Sequence, residues 1–123
     1  MPEKKSGILV VDDESDIVLV LGEFLSQEGF RVYTANRGEQ AVEKVREFPV
    51  DLVLLDLAMP GMDGIEALKK IKEIKPGINV IMITAYRDAD KVVNAFRMGA
   101  YDCIFKPFDL KYLRTAILAK LLE

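Results

Sequence analysis

Four short apolar runs in this chain end in residues that carry chemistry. Ile8-Leu9-Val10-Val11 stops at Asp12-Asp13, and Leu52-Val53-Leu54-Leu55 stops at Asp56. Val80-Ile81-Met82-Ile83 stops at Thr84, and Cys103-Ile104-Phe105 stops at Lys106-Pro107. Runs this short and this continuously apolar fit strands buried on both faces. If those strands are parallel neighbours, three carboxylates, a hydroxyl and an ammonium meet in one crevice. A carboxylate there is costly to keep charged unless something pairs with it.

Longer amphipathic segments separate the runs. A helix over residues 16–28 carries Ile17, Val20, Leu21, Phe24 and Leu25 at helical spacing. Gly29 stands where a left-handed C-cap is expected. A short strand follows over residues 31–34. Asn36 with Glu39 reads as an N-cap and its reciprocal partner, ahead of a helix with Ala41, Val42 and Val45 inward. Asp63 and Glu66 repeat the capping pattern before Ile65, Leu68 and Ile71. Pro76-Gly77 is a turn. A helix over residues 89–98 uses Val92, Val93, Ala95 and Phe96 and stops at Gly99. The last strand spans 101–105. Asp109 caps a final helix with Leu110, Leu113, Ile117 and Leu121 on one face.

Strands alternating with helices predict an α/β fold, a five-stranded parallel sheet with five helices on both faces. Right-handed crossovers leave few topologies, and strand order 2-1-3-4-5 is the commonest. The runs at 8–11, 52–55 and 80–83 are central, and the strand with Arg31 and Tyr33 lies at an edge. The ligand crevice of such a sheet lies outside the carboxyl ends of strands 1 and 3, where Asp12, Asp13 and Asp56 stand. Residues 1–123 read as one domain.

Composition narrows the function classes. With 17 basic and 20 acidic residues, the net charge is −3, and no basic excess points to nucleic acid. The longest apolar run, 17–21, is far below the roughly 18 residues a membrane span needs. The N-terminal residues contain no apolar signal core. Cys103 is the single cysteine, which excludes an internal disulfide and fits a reducing, cytoplasmic compartment. Histidine is absent, which removes histidine acid/base catalysis and most zinc sites.

Two carboxylates about 4 Å apart repel by roughly 4 kcal/mol at an effective dielectric near 20. Three in one crevice must protonate, separate or bind a cation, and a few oxygen ligands suit Mg²⁺. Asp12-Asp13 taken alone also reads as a helix cap; Asp56 on the neighbouring strand end favours the metal. A carboxylate beside a metal can serve as a nucleophile and form an acyl phosphate. Lys106 and Thr84 at the same edge can hold phosphoryl oxygens.

These motifs, from Leu9-Val10-Val11-Asp12-Asp13-Glu14 through Asp51-Leu52-Val53-Leu54-Leu55-Asp56, Met59-Pro60-Gly61-Met62-Asp63-Gly64, Thr84-Ala85, Gly99-Ala100 and Lys106-Pro107-Phe108, closely resemble the receiver domains of two-component response regulators. The likeness covers nearly the whole chain and is nearest to single-domain sporulation phosphorelay receivers. It implies that Asp56 accepts a phosphoryl group from a histidine kinase or histidine phosphotransfer protein. It implies that Asp12, Asp13, Asp56 and the backbone carbonyl of Ala58 bind Mg²⁺, with Mn²⁺ as an alternative ion. It implies that Thr84 and Lys106 hold the phosphoryl group, that Lys106-Pro107 is cis, and that the face of helix 4, strand 5 and helix 5 responds. Such a domain catalyses only its own phosphorylation and dephosphorylation.

Two departures mark this member. Cys103 stands where the family often has a swinging aromatic, so the switch falls mainly on Thr84; Tyr101 and Phe105 share its strand parity and either substitute or simply pack beneath the last two helices. Ala58 and Tyr86 occupy the positions that tune acyl-phosphate hydrolysis, and their effects on water access oppose each other. Ser15, Val18 and Leu19 on the first helix, with Pro107, are the implied kinase docking residues; a more deeply buried helix is the alternative reading.

Three rivals fit less well. A small aspartyl-phosphate phosphatase has a second carboxylate two positions on, where this chain has Asp56-Leu57-Ala58. A flavodoxin-like binding module has a Ser/Thr/Gly-rich phosphate loop where this chain has Asp12-Asp13-Glu14. A degenerate receiver lacks part of the acid, hydroxyl and lysine set that is complete here.

Overall fold

The computed structural model describes residues 5–59, 62, 64–85 and 89–121. Strands β1 (Gly7–Val11), β2 (Arg31–Ala35), β3 (Leu52–Leu55), β4 (Asn79–Thr84) and β5 (Asp102–Phe105) alternate with helices α1 (Ser15–Gln27), α2 (Gly38–Glu47), α3 (Gly64–Ile74), α4 (Ala89–Arg97) and α5 (Leu110–Leu121). The strands form one parallel sheet in the order β2-β1-β3-β4-β5. Chain order reverses direction between β1 and β3, so a crevice opens at their carboxyl ends.

Strand alternation divides the core in two. Leu9, Val11, Val53, Leu55, Val80 and Met82 face the layer of α2, α3 and α4, packing with Val45, Leu68, Ile71 and Ala95. Ile8, Val10, Leu52, Leu54, Ile81, Ile83 and Ile104 face α1 and α5, packing with Leu21, Leu25, Leu113 and Ile117. Central strands covered on both faces have no polar alternation, which explains their continuous apolar runs.

The helix ends follow their residues. Gly29 (φ 95°) closes α1, with Gly29 N–H on Ser26 O and Phe30 N–H on Leu25 O, both at 3.1 Å. Gly99 ends α4 in the same way. Asp109 caps α5 through Lys111 N–H at 2.8 Å. The cap expected at Asn36 is different. Arg37 is the N-cap of α2 and makes no side-chain capping bond. Asn36 N–H donates to Gln40 Oε1 at 2.8 Å, while Glu39 Oε1 accepts from Met62 N–H at 3.1 Å. Glu39 therefore ties α2 to the segment ahead of α3. The cap assigned to Asp63 lies outside the described residues.

Two helix faces also differ from expectation. The buried stripe of α1 centres on Leu21 and Leu25, so Val18 turns partly inward, whereas Val20, one residue from Leu21 and about 100° round the helix, is 52% exposed. In α4 only Ala95 is buried; Val92 is half-buried, and Val93 and Phe96 face outward. Both helices thus carry apolar residues that the core does not use.

Leu54 is buried between β-sheet neighbours and the α1/α5 layer, while Leu19 is 61% exposed. Leu54→Ala is expected to cost about 2–5 kcal/mol in urea unfolding, and Leu19→Ala to stay within about 0.5 kcal/mol. Similar losses for both would contradict this placement of the core.

Candidate phosphoacceptor site

Parallel register brings the strand ends together. Val11 pairs with Leu55, so Asp12 and Asp56 leave neighbouring strands at the same level, and Asp56 N–H donates to Val11 O at 3.0 Å. Thr84 pairs with Phe105, and Lys106 N–H donates to Thr84 O at 2.9 Å. These bonds fix the starting direction of each polar side chain before any side-chain contact is made.

Asp12 and Asp56 are 2% and 3% exposed, and Thr84 is fully buried. Asp13 is exposed at the rim. One carboxylate oxygen each from Asp12, Asp13 and Asp56 lies within 4.8 Å of the others. Lys106 Nζ sits among the acids, 2.8 Å from Asp12 Oδ2, 3.1 Å from Glu14 Oε1 and 3.3 Å from Asp56 Oδ2. The other oxygens are oriented by backbone: Asp56 Oδ1 accepts from Ala58 N–H and Asp12 Oδ1 from Glu14 N–H, both at 3.0 Å. The Lys106–Pro107 peptide is cis.

Burial pushes the Asp56 carboxyl up to about 6. The charge of Asp12 adds to this, while Ala58 N–H and Lys106 oppose it. Burial pulls the Lys106 ammonium down, but its hydrogen bonds to Asp12 and Glu14 and the charges of Asp56 and Asp12 outweigh that and hold it above its ordinary range. Lys106 is therefore a fixed cation. It neutralises only one of the four carboxylates gathered around it. A divalent cation fits the remaining surplus: the donors are all hard oxygens, close together and partly withdrawn from water.

Asp56 also needs space behind it. A Cβ on Gly64 would lie 2.4 Å from Leu57 Cα and 2.5 Å from Asp56 O, and Gly64 N–H donates to Leu57 O at 3.1 Å. The first turn of α3 thus packs directly against the backbone that carries Asp56.

The remaining predicted positions fall as follows. Ala58 is half-buried beside Asp56, and Tyr86 lies outside the described residues. Cys103 is half-buried against the α2–α4 side of the core, and burial together with the charge of Asp102 raises its thiol. Tyr101 precedes β5 and is exposed, with Lys120 Nζ of α5 4.6 Å from its ring centroid. Phe105 is half-buried. Ser15, Val18 and Leu19 line a groove of about 1070 Å³ that begins at Asp12 and Asp13 and runs between α1 and β2. Pro107 is exposed beside Lys106. Sequence reasoning assigned no role to Glu14, although it completes the acidic triplet after β1. Its contact depends on a 92-residue separation that no local pattern carries.

A receiver is what this combination of fold and crevice defines. Residues 8–118 match the response regulator receiver domain family. The chain is 43% identical over 110 residues to sporulation initiation phosphotransferase F of Bacillus subtilis, covering 89% of each. It is 42% identical over 111 residues to the chemotaxis protein CheY of the same organism, covering 89% of this chain and 92% of that one. It is also 45% identical over 117 residues to the transcriptional regulatory protein ZraR of Klebsiella oxytoca, covering 95% of this chain but only 26% of that longer protein. Among solved structures, a CheY-like receiver domain protein from Methanospirillum hungatei superposes with a TM-score of 0.94 at 31% identity, covering 96% of this chain and 94% of that one. The CheX-CheY-BeF3-Mg complex from Borrelia burgdorferi matches with a TM-score of 0.90 at 34% identity, covering 96% and 90%. The chain belongs to the response regulator receiver family, whose members accept a phosphoryl group on an aspartate, bind Mg²⁺ at their acidic site and carry autophosphatase activity. No helix among the described residues is long and apolar enough to cross a membrane.

Two outcomes follow from the geometry. Without divalent cations, folded Asp56 keeps its proton up to about pH 6 whereas the unfolded chain loses it near 3.8. The folded state thus binds more protons in that window, so this group makes stability fall as pH rises from about 4 to 6. The loss is on the order of 1–3 kcal/mol and is absent in Asp56→Asn; urea melts across pH with EDTA present measure it, and identical pH slopes would contradict it. Gly64→Ala is expected to cost about 1–3 kcal/mol through backbone displacement at Leu57, and an unchanged melt would contradict the close packing.

Proposed function

We propose that Asp56 is the phosphoacceptor of a signalling switch and that its donor is a phosphohistidine on a sensor kinase or phosphotransfer protein. The observation carrying this reading is a nearly fully buried carboxylate with Lys106 Nζ at 3.3 Å and two further acids at the same sheet edge. In the transfer, an Asp56 carboxylate oxygen attacks phosphorus. The new O–P bond forms as the N–P bond breaks, and the donor imidazole leaves with the bonding pair and takes up a proton. Because Asp56 Oδ1 is held by Ala58 N–H and Oδ2 by Lys106, the carboxylate is already oriented before a donor arrives.

Asp12, Asp13, Asp56 and the Ala58 carbonyl would hold Mg²⁺, with Mn²⁺ as an alternative. The ion would supply charge neutralisation of phosphoryl oxygens that would otherwise face the acids. Lys106 contributes a fixed positive charge and Thr84 a hydroxyl at the end of β4. The ammonium is already bound within the crevice, so it meets the incoming charge with little reorganisation.

Docking is assigned to Ser15, Val18 and Leu19, whose groove leads to the acids, and to Pro107, exposed beside Lys106. Modification of Asp56 then biases Thr84, Lys106 and the α4–β5–α5 face, where Val93, Phe96 and Tyr112 are exposed. Cys103 is too small to act as a swinging ring, which leaves Thr84 as the main carrier; Ala58 and Tyr86 tune hydrolysis. Residues 1–123 work as one receiver domain in the cytoplasm, turn over no external substrate, and bind neither nucleic acid nor membrane.

Acetyl phosphate with Mg²⁺ should add one phosphoryl group to the wild type, labile to hydroxylamine, and none to Asp56→Asn. Lys106→Ala should lower the yield at least tenfold. Equal labelling of Asp56→Asn by intact mass would overturn the assignment.

A further inference from the structure

Glu14 has no part in the chemistry assigned above, yet its side chain touches the lysine on which that chemistry turns. It occupies the N-cap of α1, where Ser, Thr, Asp or Asn usually accepts a bond from the first helical turn. Glu14 makes no capping bond. Its carboxylate instead crosses to Lys106, with Oε1 3.1 Å from Nζ. The Glu14 side chain is 62% exposed, whereas those of the lysine's other two partners, Asp12 and Asp56, are almost fully buried.

An ammonium has three N–H donors. Lys106 has three carboxylates in reach, Asp12, Glu14 and Asp56, so among the described residues its donors are all engaged. Esterification of Asp56 frees the donor on its own oxygen, and a phosphoryl group that takes a second donor must draw it from Asp12 or Glu14. Releasing Asp12 would leave a nearly fully buried carboxylate with the metal as its one remaining counter-charge. Releasing Glu14 returns an exposed carboxylate to water, and an exposed ion pair is worth little.

We propose that Glu14 is a positioning residue, a releasable latch that engages one Lys106 donor at rest and yields it to the phosphoryl group. This deepens the reading of Asp56 as the acceptor and rests on it. Losing the latch frees a lysine donor and so speeds phosphoryl uptake. Loss of the Glu14 charge would act in the same direction, by easing the approach of an anionic donor. Glu14→Asp separates the two causes: it keeps the charge but shortens the reach by one methylene. It also installs a better capping residue, so any gain in helix stability runs opposite to loss of the contact.

The test compares wild type, Glu14→Gln and Glu14→Asp, measuring the rate of labelling by acetyl phosphate at saturating Mg²⁺ by intact mass. The latch predicts that both variants label about two- to five-fold faster, the range expected for one exposed ion pair. In metal-free protein it predicts that the Lys106 Nζ signal in ¹⁵N NMR moves in both variants. If Glu14→Asp matches wild type in rate and in Nζ signal, charge alone accounts for the effect and the latch is wrong. Three equal rates with labelling still confined to Asp56 would also overturn the latch while leaving the acceptor intact. Labelling that survives Asp56→Asn would instead remove the acceptor and the latch together.

Discussion

A single ammonium holds this crevice together. Asp12 and Asp56 are withdrawn from water at the ends of two adjacent central strands. Neither could remain charged there without a partner, and Lys106 Nζ contacts both. The compensation is incomplete, because burial and the Asp12 charge still raise the Asp56 carboxyl to about 6. The resting protein therefore stores an unsatisfied electrostatic demand at the proposed acceptor. A cation answers that demand, and in the proposed reaction a phosphoryl group on Asp56 rearranges it.

The rest of the fold serves that placement. Parallel pairing of β1 with β3 and of β4 with β5 brings residues from four strand ends to one edge without long loops. Two separate apolar layers clamp the sheet from either side, so the strand ends cannot drift apart without opening a core. Gly64 lets α3 approach the Asp56 backbone to a distance that no side chain would allow. Arg114 on α5 pairs with Glu28 after α1, joining the two helices of one layer. In the proposed switch, rigid support of this kind lets a small charge change at Asp56 bias Thr84 and β5 instead of dissipating locally.

Much of this was legible in the sequence, for a physical reason. Strands buried on both faces cannot hide their identity, and turn residues such as Gly29, Pro76-Gly77 and Asp109 mark where elements stop. The site was legible because its residues all terminate strands, so Asp12, Asp13, Asp56, Thr84 and Lys106 could be placed at one edge from topology alone. What escaped was determined by tertiary contacts. Glu39 resembles a helix cap but reaches Met62, and Gln40 takes its place at Asn36. Val20, Val93 and Phe96 fit a helical stripe by spacing, but the stripe's centre is set by Leu21 and Ala95, and an offset of one residue for Val20 and Phe96 and of two for Val93 turns them outward. Tyr101 shares strand parity with Cys103 but precedes the strand and packs with Lys120 instead. Glu14 joins the site across 92 residues, a contact that composition and periodicity do not encode.

The central claim is that Asp56 is a carboxylate made costly by burial and by Asp12, and relieved by a cation. Carbon-13 NMR of the Asp56 carboxyl, titrated with and without Mg²⁺, tests it most directly. The account predicts a midpoint near 6 in metal-free protein and a clear downward shift when Mg²⁺ is added. A midpoint near 4 that is indifferent to Mg²⁺ would contradict it.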